Sequence, residues 1–296
     1  MLPEIPAFLL ALIAAIFFAF GNHFQSFGVQ HMPARSGATI GITSSTCILW
    51  LAAPWFLEPA QFWTSVVLLF ALSGLLRPSI SANLSIIGIR FLGPTLASTF
   101  AATTPIFGAC IGILFLDETL TWPIALGTMG IMLAVMILSK RKKEPAGSTV
   151  KTWPLWAILF PLGAACLRSV AHVMIKVGML EVPDPYFAAL VAFTTSSIVM
   201  LSLQWRQGME ALTLSNPGFK YFVGAGLVFS AAVLLLNIAL LKGDIVVVIP
   251  MISAIPIFSM LLSIVVFRVE KITLRTVLVL ALIVPSVAAV GVFGKL

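Results

Sequence analysis

Charge is what this chain has least of. Asp, Glu, Lys and Arg together make up 9% of its 296 residues, about a third of the share in an ordinary soluble domain. The formal net charge of +7 is therefore not a basic patch interleaved with aromatics of the kind that grips nucleic acid. Cysteine is equally sparse. Cys47, Cys110 and Cys166 stand singly in separate apolar runs, a pattern that excludes a disulfide framework and a cysteine metal site. Of the three histidines, His23, His31 and His172, none has a carboxylate within a turn at mid-depth of a span. The clustered nucleophiles or metal ligands of an intramembrane enzyme are thus missing, and no cofactor is called for.

What remains is apolar. The hydrophobic share is 60% and the mean hydropathy +1.12, with runs of about 20 residues that match a hydrocarbon core about 30 Å thick. The pattern predicts an all-α integral membrane protein of ten transmembrane helices. They fall near 5–29, 36–57, 63–88, 95–116, 122–139, 154–178, 186–205, 219–241, 245–267 and 273–294. The first of these lacks a basic n-region and runs past Phe20, so it reads as a span and not as a cleaved signal peptide. Almost nothing is left for a globular domain, and any chemistry belongs inside the helix bundle.

The chain also repeats itself. Pro105 to Thr121 (PIFGACIGILFLDETLT) recurs in outline as Pro256 to Thr273 (PIFSMLLSIVVFRVEKIT), with Glu118 and Glu270 each three residues before a Thr. His23 of span one has a counterpart in His172 of span six, Ile42–Ile48 (ITSSTCI) resembles Phe193–Ile198 (FTTSSI), and Asn83 is echoed by Asn237. The one long hydrophilic segment, Lys140 to Lys151 (KRKKEPAGSTVK), lies halfway along. It divides the chain into 1–139, a basic linker at 140–152, and 153–296. Five spans is an odd number, so the second half must enter the membrane from the opposite side, which makes this an inverted repeat.

These residues carry a family resemblance. The ten short-looped spans, the two segments from Pro to Glu-x-x-Thr, and Gly127 nine residues after Glu118 resemble the drug/metabolite transporter superfamily, in its EamA-like branch with two copies of the domain. The second copy departs from the pattern at Val279, where a Gly would match Gly127. The resemblance implies an alternating-access carrier with a central cavity lined by both halves. It implies no particular substrate.

Basic residues are distributed unevenly. The odd-numbered connections hold twelve of them: Arg35, Arg90, Lys140, Arg141, Lys142, Lys143, Lys151, Arg206, Lys220, Arg268, Lys271 and Arg275. The other face, with both termini, holds Lys176, Lys242 and Lys295. Basic loops stay cytoplasmic, so the count places the linker inside and the termini outside, the reverse of the orientation the family resemblance implies.

Two further cations sit inside spans. Arg77 lies mid-way through span three, directly before Pro78, and Arg168 mid-way through span six, four residues before His172. A guanidinium at that depth costs about 2.5–3.5 kcal/mol on insertion scales, so it needs a polar cavity or a partner. All ten acidic residues lie at span ends or in connections, which leaves neither Arg an intramembrane carboxylate. Two readings stay open: each guanidinium satisfies carbonyls freed at a helix break, or each binds a substrate carboxylate or phosphate in a bidentate fork. The small multidrug exporters of the superfamily use a Glu in the first helix. Here span one offers Asn22 and His23, which disfavours proton-for-cation exchange at a carboxylate.

The remaining candidates have the same double reading. His23 and His172 are cavity groups or hydrogen-bonding core residues; Arg168, Ser169 and His172 share one helical face; Asn83 and Asn237 are cavity amides or glue between helices. Pro105, Pro250 and Pro256 interrupt spans four and nine, which should bend beside the cavity. Glu118 and Glu270 are capping or interfacial carboxylates, or coupling groups.

The reading that follows is a secondary transporter of a small organic metabolite with an anionic or zwitterionic group, amino acids and their derivatives foremost. A coupling proton or an exchanged metabolite would drive it, with lipid as its surroundings and the monomer or a weak homodimer as its working form. The rivals are an exporter of amphipathic drugs, an enzyme acting on lipid, and a helper subunit that transports nothing. The orientation has a direct check: in a cysteine-free background, Ser148→Cys should resist an impermeant thiol reagent added to intact cells, and labelling from outside would reverse the topology.

Overall fold

The computed structural model describes residues 5–139, 154–206, 208, 215–268 and 273–294. The linker, Glu270, Lys271 and Lys295 lie outside the described residues. The chain forms α1 (Ala7–Gly28), α2 (Ala34–Phe56), α3 (Val66–Gly74), α4 (Ser81–Ala101), α5 (Thr104–Leu116), α6 (Trp122–Ser139), α7 (Leu159–Glu181), α8 (Pro185–Trp205), α9 (Pro217–Lys242), α10 (Ile245–Ile252), α11 (Ile255–Val265) and α12 (Leu274–Phe293). Among the described residues, ten helical segments are long and apolar enough to cross a membrane. Span three joins α3 to most of α4, span four runs from the end of α4 through α5, and span nine joins α10 to α11.

Helix neighbours obey an inverted symmetry. α1 packs along α9, and its counterpart α7 packs along α4; α2 meets α9 as α8 meets α3. Two pairings lie across the symmetry axis, α2 with α8 and α6 with α12. Local conformation repeats as well. Among the described residues, the two left-handed positions that are not Gly are Asp117, twelve residues after Pro105, and Arg268, twelve after Pro256.

Small residues let these helices touch at the backbone, which is how apolar helices associate in lipid. The two repeated hydroxyl segments sit at the contact. Ser45 on α2 donates to the Gly226 carbonyl on α9 at 2.7 Å, and Ser196 on α8 donates to the Gly74 carbonyl on α3 at 2.7 Å. Between them, Thr46 donates to the Phe193 carbonyl and Ser197 to the Thr43 hydroxyl, so α2 and α8 are joined by their own repeat. A Cβ on Gly226 would come within 2.5 Å of the Gly41 carbonyl oxygen, and one on Gly74 would strike the Ala192 carbonyl.

The symmetry fails at one place for a covalent reason. Fourth after Gly74 stands Pro78; fourth after Gly226 stands Ser230. Proline has no N–H to give the carbonyl four residues back, and it drives the preceding residue out of the helical region. Span three therefore breaks into a π-type turn at Leu75–Ile80, with Arg77 extended at φ −136°, ψ 124°. α9 runs unbroken for 26 residues. The carbonyl that Pro78 leaves free is that of Gly74, and Ser196 supplies its hydrogen bond.

Spans four and nine are each interrupted next to a proline. α5 and α11 begin with Pro105 and Pro256 in their first turns, after turn residues Ala102–Thr103 and Ser253–Ala254 that keep right-handed dihedrals. The Thr104 hydroxyl occupies the Ala101 carbonyl, whose helical partner would have been Pro105. At the far side of the bundle, Arg275 of α12 donates to the last carbonyls of α6, those of Ile137 and Leu138. Exposed Trp55, Trp63, Trp122, Trp156 and Trp205 lie at or beside span ends, the depth of headgroups, where indole has an apolar body and a polar tip to satisfy.

The backbone contacts make a sharp stability forecast. Gly226→Val and Gly74→Val should each lower stability by about 1–3 kcal/mol through overpacking. Gly224→Ala, which meets nothing within 4 Å in the interior of α9, should leave the melting temperature of the detergent-solubilised protein unchanged or slightly raised.

Candidate functional site

Three spans from each half enclose a cavity of about 350 Å³. α1, α2 and span three form one side; α7, α8 and α9 form the other. Its lining reaches Gln25, three residues from the end of α1, and Ala38, four residues into α2, but stops at Ile175 and Val233, six and nine residues short of the ends of α7 and α9. At 1.5 Å per residue the cavity comes within about 6 Å of the face bearing the odd-numbered connections.

Arg77 enters this cavity because its backbone cannot be helical. The π-type turn turns the side chain inward, where Nη1 lies 2.8 Å from His172 Nε2 and the guanidinium sits 5.8 Å from the centre of the Phe18 ring. A guanidinium has only donors, so Nε2 accepts and the ring proton sits on Nδ1, which is buried without a partner among the described residues. Arg168 on α7 donates to Ser85 at 3.4 Å. Both guanidiniums lie within electrostatic reach of His172 and of each other. Among the described residues, neither has a carboxylate partner.

The other polar lining groups divide in two. Ser45, Ser73 and Ser196 already donate to backbone carbonyls. The carboxamides of Asn22 and Gln25 have no partner among the described residues. Apolar side chains complete the wall: Phe18, Ile42, Phe193, Met200, Phe229 and Val233. Phe229 is the third residue after Gly226, as Arg77 is the third after Gly74. Symmetry-related positions thus present a cation on one side and a ring on the other.

Several residues that the sequence offers as cavity groups are engaged elsewhere. His23 donates from Nε2 to the Ser259 carbonyl at 2.9 Å and stacks near Phe267, tying α1 to α11 outside the lining. His172 touches the cavity only through Arg77. Ser169 donates to the Thr104 carbonyl, joining α7 to α5. Asn237 is fully buried and donates to the Pro185 carbonyl at the start of α8. Asn83 is exposed and donates back to the Ser79 carbonyl in the turn that precedes its helix. Pro105, Pro250 and Pro256 bend helices behind α1 and α7 and do not line the cavity. Asn22 and Arg77 are the two candidates that do. Gln25 and Phe18 went unnoticed although Phe18, Asn22 and Gln25 fall at i, i+4 and i+7, a single helical stripe.

A buried ion pair was hidden by counting Lys176 with the connections. α7 continues to Glu181, so Lys176 lies inside the span. Its Nζ is 2.7 Å from Glu118 Oε1, 2.9 Å from the Gly243 carbonyl and 3.5 Å from Asp244. Left-handed Asp117 turns the chain back on itself, and Gly112 leaves the space that Glu118 fills. Glu118 then accepts the N–H groups of Ile245 and Val246 at 2.8 and 3.0 Å, capping α10 of the other half. Its role is thus capping, on the far side of the bundle from the cavity mouth. At the equivalent place on α1, among the described residues, Phe27, four residues after His23 as Lys176 is after His172, packs on Phe267 and Tyr221.

Breaking one partner of such a pair costs about 3–5 kcal/mol. Lys176→Met should lower stability on that scale, and the double variant Lys176→Met/Glu118→Gln should recover part of the loss in thermal unfolding, since no charge is then left alone. Among the described residues, no three His, Cys, Asp or Glu side chains come together in a way that could hold a metal ion.

Known proteins agree with this architecture. One solved crystal structure superimposes on 98% of this chain and 97% of its own, with a TM-score of 0.77 at 14% identity, a likeness of fold alone. No curated protein sequence matches the chain. The model of the EamA-like transporter family matches residues 5–140 and again 155–292, so that nearly every residue falls in one of two copies, and the chain belongs to that family.

Proposed function

We propose that the chain is a secondary active transporter of the inner membrane that carries a small organic metabolite with an anionic or zwitterionic group, such as an amino acid or its derivative. The observation that carries this reading is Arg77. It is a cation in a cavity shared by both halves, held in place by His172, with no carboxylate partner among the described residues. A buried charge without a counter-ion favours a ligand that brings one, and the planar fork suits carboxylate or phosphate. Asn22 and Gln25 supply neutral donors and acceptors one to two turns away along α1.

Movement follows from the repeat. Two inverted halves can exchange conformations, so that the face now nearest the cavity closes as the other opens. In the present state Lys176, Glu118 and the first turn of α10 hold the far face together. A proton or an exchanged metabolite drives the cycle, and the monomer or a weak homodimer performs it. The linker is cytoplasmic by its basic residues.

A thermal-shift screen of carboxylates and phosphate monoesters against the purified protein identifies the ligand, because binding to the folded state alone raises its apparent stability. For any hit, Arg77→Gln should weaken binding by about 1.5–3 kcal/mol, the scale of a hydrogen bond to a charged group. Arg77→Lys should restore part of it. Arg168→Gln should have a smaller effect, since Arg168 lies outside the lining. If the Arg77→Gln protein binds and transports the hit as the parent does, Arg77 is structural and the anionic reading fails.

A further inference from the structure

The cavity has an uneven charge inventory. Among the described residues its lining contains one guanidinium and no acidic residue, and a second guanidinium, that of Arg168, lies within electrostatic reach of the first. Glu118 and Asp244 are engaged by Lys176, and Glu118 also by two backbone N–H groups, on elements that do not reach the cavity. The apolar part of the lining includes Phe229, Phe193, Met200 and Val233.

We infer that the cavity selects organic anions with an apolar body and no ammonium group, and discriminates against free α-amino acids. The inference rests on the reading of Arg77 given above and narrows it, removing free amino acids from the substrates named there and keeping their N-acylated derivatives. In an α-amino acid the ammonium is one carbon from the carboxylate. A carboxylate gripped by Arg77 would therefore bring the ammonium beside the same guanidinium, with Arg168 close by. Like charges that close inside a protein repel by several times the thermal energy. Among the described residues the lining offers that ammonium no carboxylate, only the Asn22 and Gln25 carboxamides, hydroxyls already spent on backbone carbonyls, and ring faces of which Phe18 already meets Arg77. Those amides suit a hydroxyl, keto or acylated nitrogen in the substrate, each of which takes or gives a hydrogen bond without charge. The apolar remainder of the molecule then lies against Phe229, Phe193 and Met200.

Matched probes separate the terms on the unaltered protein. 3-Phenylpropanoate, N-acetyl-L-phenylalanine, L-phenylalanine and 2-phenylethylamine share one ring and differ in charge. Calorimetric titration into detergent-solubilised protein should show the two ammonium-free acids binding, L-phenylalanine weaker by at least about tenfold, and the amine not at all. Arg77→Gln should erase the preference for the acids, with its own melting curve as the check on folding. L-Phenylalanine binding as tightly as 3-phenylpropanoate, both dependent on Arg77, overturns the inference and leaves the anionic reading standing. If neither ammonium-free acid binds, or the amine binds best, both fall.

Discussion

A lipid bilayer offers no water to a broken helix, so every carbonyl and N–H released at a break must find its partner inside the protein. Much of this architecture answers that demand. Pro78 leaves the Gly74 carbonyl without its helical donor, and Ser196 arrives from α8. Pro105 does the same to Ala101, and Thr104 turns back to meet it. α10 starts in the interior, and Glu118 crosses from the other half to accept its first N–H groups. Arg275 closes the end of α6. Most of the polar side chains in the spans are therefore part of the scaffold, and those left over define the site.

That constraint also decides how much could be read from the residues in order. The ten spans, the midpoint division and the inverted repeat follow from hydropathy and spacing, signals that are local or internal to the chain. The site is harder, because a polar residue in a span has two uses, and the choice depends on the neighbouring helix. His23 and His172 are indistinguishable by position. One donates to the Ser259 carbonyl and the other holds Arg77, since a proline at 78 placed an arginine where the second half has Phe229. Ser169 and Asn237 are absorbed into helix contacts in the same way. Lys176 falls two residues inside the expected end of span six at 178, close enough to count with the connection, but α7 runs on to Glu181 and the cation lies inside the protein.

The repeated segments ITSSTCI and FTTSSI show what duplication preserves. Their hydroxyls make reciprocal bonds, α2 to α9 and α8 to α3, at the seam where the halves cross. The seam is symmetric and the cavity beside it is not. Within four residues of equivalent glycines, one copy carries Arg-Pro and the other Phe-Ser. The duplicated scaffold thus keeps its mutual clasp, while the cavity lining differs at positions where the copies have diverged.

Divergence at a second pair of positions bears on the carrier when empty. α7 is tied to its neighbours by Lys176 and Glu118, and α1 at the matching place by Phe27, Phe267 and Tyr221. Were the two copies identical, exchanging their shapes would cost nothing, and the unloaded protein would divide its time equally between its two openings. In the carrier proposed above, an ionic tie on one side and, among the described residues, an aromatic one on the other would remove that degeneracy. One opening would then be the resting form. Apparent affinity measured from the rarer side is lowered in proportion to its occupancy. The protein would show different half-saturation from its two sides, while the gradients alone still set the direction of net flow.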